Sequence, residues 1–209
     1  MISSSNRCGG RPLADSAESW LAHNFDDVVA WRRHIHAHPE LGRAETATTA
    51  FVADKLTEAG LTPQLLPGGT GLICDIGPQF RTRIALRADM DALPVTEQTG
   101  LPFASKVTTQ YNGETVGVMH ACGHDAHTAI LMGVAQALAS MRSDLPGEVM
   151  FIFQPAEEGA PAGETGGAAQ MLAEGLFDRF KPEAVFGLHM DSRSEEHTSE
   201  LQSRQCISY

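Results

Sequence analysis

Between Met119 and Thr128 the chain reads Met-His-Ala-Cys-Gly-His-Asp-Ala-His-Thr, so three histidines, one cysteine and one aspartate fall within ten residues. Cys122 and His124 stand two apart around Gly123. Glycine accepts positive φ and lets the chain bend until both side chains face one ion. A thiolate with an imidazole suits a borderline cation of the zinc kind. On spacing alone, a buried thiol beside a hydrogen-bonded histidine explains the pair equally well. A catalytic zinc site needs at least three protein ligands, so the metal reading requires more donors elsewhere.

Two places offer them. Gln154-Pro155-Ala156-Glu157-Glu158-Gly159 follows the apolar run Val149 to Phe153, which reads as a buried strand. The two glutamates then sit at its C-terminal end, where adjacent side chains point different ways. One carboxylate can hold a metal while its neighbour faces the water that the metal activates. Ala184 to Leu188 reads as another strand and ends at His189. Strand ends of an open α/β sheet are the usual location of such sites. Asp89 and Asp91 follow the strand expected at Arg83 to Arg87. His120 and His127 are read either as groups that orient a ligand or as structural side chains.

The elements that must position these residues follow from periodicity. Trp20, Leu21, Val28, Trp31 and Ile35 recur at near-helical spacing, which predicts a helix from Ser16 to His36, ended by Pro39. A second helix is predicted from Glu45 to Ala59, with Gly60 as its stop. Short strands follow at Thr62 to Leu66, Leu72 to Ile76 and Arg83 to Arg87. Residues 96–118 read as one long loop that delivers the Cys122 motif. A long helix from Asp125 to Met141 comes next, broken by Pro146-Gly147. Strand 148–153, a Gly-rich loop, a helix near 166–175 and the strand ending at His189 complete the series. Strands alternating with helices predict an α/β fold with a largely parallel sheet.

The chain has 209 residues, enough for one sizeable domain, with 42% hydrophobic and 20% charged residues. Its formal net charge of -11 argues against nucleic acid or an anionic membrane surface as partner. No apolar run approaches the ~18 residues of a membrane span, and Met1 to Ser16 lacks the apolar core of a secretory signal. Cys8, Cys74, Cys122 and Cys206 show no paired spacing, which fits reduced thiols in a cytoplasm.

Five motifs stand in order along the chain: His36-Ala-His-Pro-Glu-Leu-Gly42, Ala88-Asp-Met-Asp-Ala-Leu-Pro94, Met119 to His127, Pro155 to Gly159 and Gly187-Leu-His189. In these the chain resembles the M20-type metal-dependent amidohydrolases, in the branch of hippurate hydrolase and the auxin-conjugate and N-acyl-amino-acid amidohydrolases. The resemblance implies a zinc-exopeptidase-like α/β domain with a mixed, largely parallel sheet flanked by helices. It implies two divalent metal ions, zinc or manganese with cobalt or nickel as variants, bound through Cys122, His124, Glu158 and His189. It makes Glu157 the general base and gives Asp91 a supporting catalytic role. The expected reaction is hydrolysis of the amide bond of a small N-acyl amino acid by a metal-activated water. The rival readings are a dipeptidase or aminopeptidase of the same fold, or a metal-binding domain without turnover. The His36 motif reads as architectural, Asp89 as a strand-end carboxylate without a chemical role. A homodimer or higher homo-oligomer is expected of the complete protein.

The domain division expected is a disordered N-terminus at 1–15, part of the catalytic domain at 16–191 and a non-native tail at 192–209. Within that tail, Arg193 to Ser203 is what a common sequencing adapter encodes codon for codon, and Ile207-Ser208-Tyr209 matches the adapter's continuation. On this reading the chain is a fragment, inactive by itself, whose lid and dimerisation domain and last metal-binding histidine lie beyond it.

Overall fold

The computed structural model describes residues 12–79, 82–161, 163–179 and 181–190. The tail expected at 192–209 and most of the N-terminus expected at 1–15 lie outside the described residues. In chain order the elements are α1 (Leu13–Ala37), α2 (Thr46–Glu58), β1 (Gln64–Leu65), β2 (Leu72–Ile76), β3 (Arg83–Asp89), β4 (Thr108–Tyr111), β5 (Glu114–Gly117), α3 (His124–Ser140), β6 (Glu148–Gln154), α4 (Gly167–Ala173) and β7 (Ala184–Gly187). Leu13 to Asp15, expected in the N-terminal tail, form the first turn of α1 instead.

A five-stranded sheet has the order β1-β2-β6-β3-β7. The sheet is mixed: β6, β3 and β7 run parallel, whereas β2 is antiparallel to β6 and β1 to β2. β6 is buried at every position, which is why its centre, Val149 to Phe153, is a continuous apolar run rather than an alternation. Its residues still divide by face. Val149, Phe151 and Phe153 pack with Val52 and Leu56 of α2, Leu131 and Met132 of α3, and Leu72, Cys74 and Ile76 of β2. Met150 and Ile152 meet Ala85 and Met171 on the other face, where α4 lies. Among the described residues, no helix is long and apolar enough to cross a membrane.

The loop expected over 96–118 contains a hairpin, β4 and β5. Its turn is Asn112-Gly113, both at positive φ (52° and 84°), the residue pair that best tolerates the turn matching strand twist. That signal is present in the sequence, but the flanking strands are short and largely exposed, so alternation does not announce them.

Two connections fix the site's surroundings. His36 is buried between Asp125 (2.8 Å) and Glu97 (3.1 Å), and Arg32 Nε lies 2.6 Å from the same Asp125 carboxylate. These contacts hold α1 against the first turn of α3. Glu40 accepts the N–H groups of Ala47 (3.1 Å) and Thr48 (2.7 Å) at the start of α2, where a carboxylate complements the helix dipole.

Candidate metal centre

The parallel strands deliver their C-terminal ends to one place. β3 ends at Asp89 and turns through Asp91, β6 leads into Pro155 to Glu158, and β7 leads into His189. The N-terminus of α3 faces them, with His124 as its first residue and Gly123, at φ 83°, preceding it. That left-handed glycine makes the sharp entry that sets Cys122 and His124 on one side.

Asp91 fixes His124 and the acidic turn together. The His124 Nδ1–H donates to the Asp91 carbonyl at 2.8 Å, and the Glu158 N–H donates to Asp91 Oδ2 at 2.9 Å. With Nδ1 so engaged, the Nε2 lone pair faces Asp89 Oδ1 at 3.6 Å, Glu158 Oε1 at 3.7 Å and Glu157 Oε2 at 3.8 Å. Donor atoms of Cys122, His124 and Glu158 all lie within 4.8 Å of one another. His189 Nε2 is 3.7 Å from Cys122 Sγ. Ligands bonded at ~2.0–2.3 Å around a tetrahedral ion stand ~3.3–3.8 Å apart, so the Cys122, His124 and Glu158 donors need little movement to share a cation, and His189 lies beside the thiol of that group.

Electrostatics favour one. Burial, then the hydrogen bond and charge of Glu158 and the charges of Glu157 and Asp89, push the Cys122 thiol up to about 11. Burial alone would lower the His124 imidazole, but the Asp91 hydrogen bond and the Asp89, Asp91 and Glu158 charges raise it. Such a concentration of negative charge around a thiol suits a divalent cation, which reverses that balance and ionises a coordinating thiol. The residues present therefore fit a metal ion.

Of the remaining candidates, His127 donates from Nδ1 to Asp89 Oδ1 at 2.6 Å and accepts the Met190 N–H at Nε2 at 2.8 Å. It thereby ties the end of β3 to the backbone next to His189. Asp89, read from the sequence as a plain strand-end carboxylate, is thus at the centre of the arrangement. Burial would raise its carboxyl, but His127, Arg87 and His124 hold it below its ordinary value. His120 is buried, and burial pushes it down to about 4. Neither of its ring nitrogens has a hydrogen-bond partner among the described residues. Sequence reasoning passed over Glu45, which reaches this turn from outside: it accepts the Ala156 N–H at 2.7 Å. A lone acid at the start of a helix carries no signal of such a contact. A cavity of about 470 Å³ lined by Ile73, Met150, Met171 and Leu176 contains none of these groups and lies toward the other end of the strands.

Comparison with known proteins gives a family match and several relatives of different length. A sequence model described as peptidase family M20/M25/M40 matches residues 85–203. An N-acyl-L-amino acid amidohydrolase of Geobacillus stearothermophilus is 44% identical over 170 residues, 81% of this chain and 42% of that protein. A Rhodococcus jostii (strain RHA1) protein named for glutamate–cysteine ligase activity is 51% identical over 168 residues, but the match covers 80% of this chain and only 19% of that protein, too little for its name to transfer. Among solved structures, the Bacillus subtilis YXEP protein, described as a dinuclear metal-binding peptidase from the M20 family, matches with TM-score 0.68 and 41% identity over 83% of this chain and 44% of that one. The chain spans less than half the length of each of these relatives.

Proposed function

Since this chain belongs to peptidase family M20/M25/M40, we propose that the protein it represents hydrolyses the amide bond of small N-acyl amino acids with two divalent ions, zinc or manganese in the first instance. Cys122, His124, Glu158 and His189 hold the ions. The observation that carries this reading is the convergence of Cys122, His124 and Glu158 donors within 4.8 Å, with His189 Nε2 3.7 Å from the thiol. Bound ions supply Lewis acidity and bring the pKa of a water toward neutrality. Glu157 is the more exposed of the acid pair, its side chain 40% accessible against 25% for Glu158. It can reach both solvent and an entering substrate, takes the proton of the attacking water and returns it to the leaving amine. Asp91 acts by orientation, holding the His124 Nδ1–H and the Glu158 amide so that both ligands face inward. The acyl-amino-acid substrate class is supported by the name of the Geobacillus relative.

Elemental analysis of purified variants tests the assignment. Cys122→Ala and Glu158→Gln are expected to lower metal content, whereas Glu157→Gln and Cys74→Ala keep it. For turnover, the chain is joined to the remaining residues of a relative such as the Geobacillus amidohydrolase. There Glu157→Gln is expected to lose ~10²–10⁴-fold in rate with its metal retained. Residues 1–190 alone, with Cys122 and Glu157 open to water, are expected not to turn over. Equal metal content in wild type and Cys122→Ala overturns the ligand set; cleavage of dipeptides in preference to N-acyl amino acids overturns the substrate class.

A further inference from the structure

The segment from Glu40 to Glu45 runs between the two turns that end β3 and β6. Its backbone reaches the first: the Ala92 N–H donates to the Glu40 carbonyl at 2.8 Å, and Leu41 pairs with Ala92 in an isolated parallel bridge. Its side chain reaches the second, where the Ala156 N–H donates to Glu45 Oε1 at 2.7 Å. Glu45 is 0% exposed and Ala156 is 1% exposed. A carboxyl sealed from water is costly to keep, and an apolar side chain would fill the space without that cost. What it supplies here is an acceptor for a donor that has strained geometry. Ala156 has φ 47°, in the left-handed region that residues with a Cβ rarely adopt. Its carbonyl is held as well, by the Gly167 N–H at 3.0 Å. Gly42 presses on the same turn: a Cβ there would lie 2.5 Å from the Gly159 carbonyl oxygen and 3.2 Å from Ala156 Cα. The two residues that follow Ala156 are Glu157 and Glu158.

We infer that Glu45 is a positioning residue for this acid pair: its carboxyl holds Ala156 in the left-handed conformation that turns Glu158 toward Cys122 and His124 and leaves Glu157 facing solvent. The inference rests on the metal-centre reading and extends it to a residue 111 positions away in sequence. Without the acceptor, a buried N–H is left unpaired and Ala156 loses the contact that offsets its positive φ on the amide side, which favours relaxation to negative φ. A dihedral change at one residue swings every atom after it, so the Glu158 carboxylate leaves the other donors. A carboxamide at position 45 preserves the acceptor. A shorter acid keeps the charge and withdraws it from the amide by one methylene.

Two measurements on the chain decide it: hydrogen exchange at the Ala156 amide, and cobalt(II) titration followed by thiolate-to-cobalt charge-transfer absorbance. Glu45→Ala and Glu45→Asp are expected to exchange the Ala156 amide at least about tenfold faster and to weaken cobalt binding about tenfold. Glu45→Gln is expected to restore both to within about twofold of wild type, which a purely space-filling role would not predict. Should Glu45→Ala fail to fold, Glu45→Asp carries the comparison. Unchanged Ala156 exchange in the folded variants overturns the inference whether or not cobalt binds, and so does a cobalt defect that Glu45→Gln fails to rescue. Glu158→Gln reads the underlying assignment separately: if it binds cobalt as wild type does, the metal-centre reading falls on its own, and the exchange comparison still decides the clamp.

Discussion

Burial pushes the Glu45 carboxyl from the ordinary 4.5 up to about 7, with the Asp91 charge adding to the rise and the Ala156, Glu45 and Arg43 amides opposing it. Asp89 is as deeply buried but is held below its ordinary value, because His127, Arg87 and His124 surround it. Two buried acids in one site thus titrate in opposite directions, and the difference is the presence of positive partners. For Glu45 the folded chain holds the proton more tightly than the unfolded one, so its contribution to stability is present below about 4.5 and is lost as pH rises to about 7. The loss is on the order of 3 kcal/mol. Urea denaturation of metal-free wild type and Glu45→Gln across that window isolates it, since the glutamine does not titrate. The stability of Glu45→Gln relative to wild type is expected to rise over the window and level off above it. A constant difference would show that Glu45 does not titrate there.

The start of α3 is where an element's geometry becomes chemistry. Gly123 at φ 83° precedes the helix, and a Cβ there would meet the Met190 side chain at 2.9 Å. Methionine is flexible and can give way, so the main cost of Gly123→Ala is the left-handed backbone, about 1–2 kcal/mol. Relaxing that residue toward negative φ rotates Cys122 away from His124. Gly123→Ala is therefore expected to lower the urea midpoint and to weaken the thiolate-to-cobalt charge-transfer band together. A lowered midpoint with an unaltered band would mean that the glycine serves only the helix entry.

Among the described residues, the sheet has an exposed apolar border at β7. β7 is an edge strand, and along it and its continuation Phe186, Leu188 and Met190 are 52%, 53% and 50% exposed. An edge with a row of apolar side chains is a template for pairing with another chain. A net charge of -11 opposes association at low salt, and screening removes that protection. The chain is expected to self-associate as salt is raised, measured by sedimentation velocity. Phe186→Glu and Phe186→Lys are both expected to shift it toward monomer. If only the glutamate variant does so, net charge rather than the apolar edge controls association.

The clustering of Cys122, His124, Glu157, Glu158 and His189 is legible in the sequence because few residue types carry donor side chains, and these stand beside an apolar run or a glycine that marks a strand end or a bend. β6 was legible for a related reason, as burial on both faces leaves a continuous apolar run. The hairpin is poorly legible, although Asn112-Gly113 marks its turn, because short exposed strands leave little hydrophobic pattern. Strand order and the antiparallel β2 belong to the tertiary structure, since periodicity reports which face of a strand is buried and not which strand lies beside it. The same holds for the contacts that aim the site. Glu45 meets Ala156 and Asp89 meets His127 only once the sheet and α3 are assembled. A buried donor must find an acceptor within about 3 Å, and which residue supplies it is decided by packing across distant parts of the chain, on which local sequence is silent.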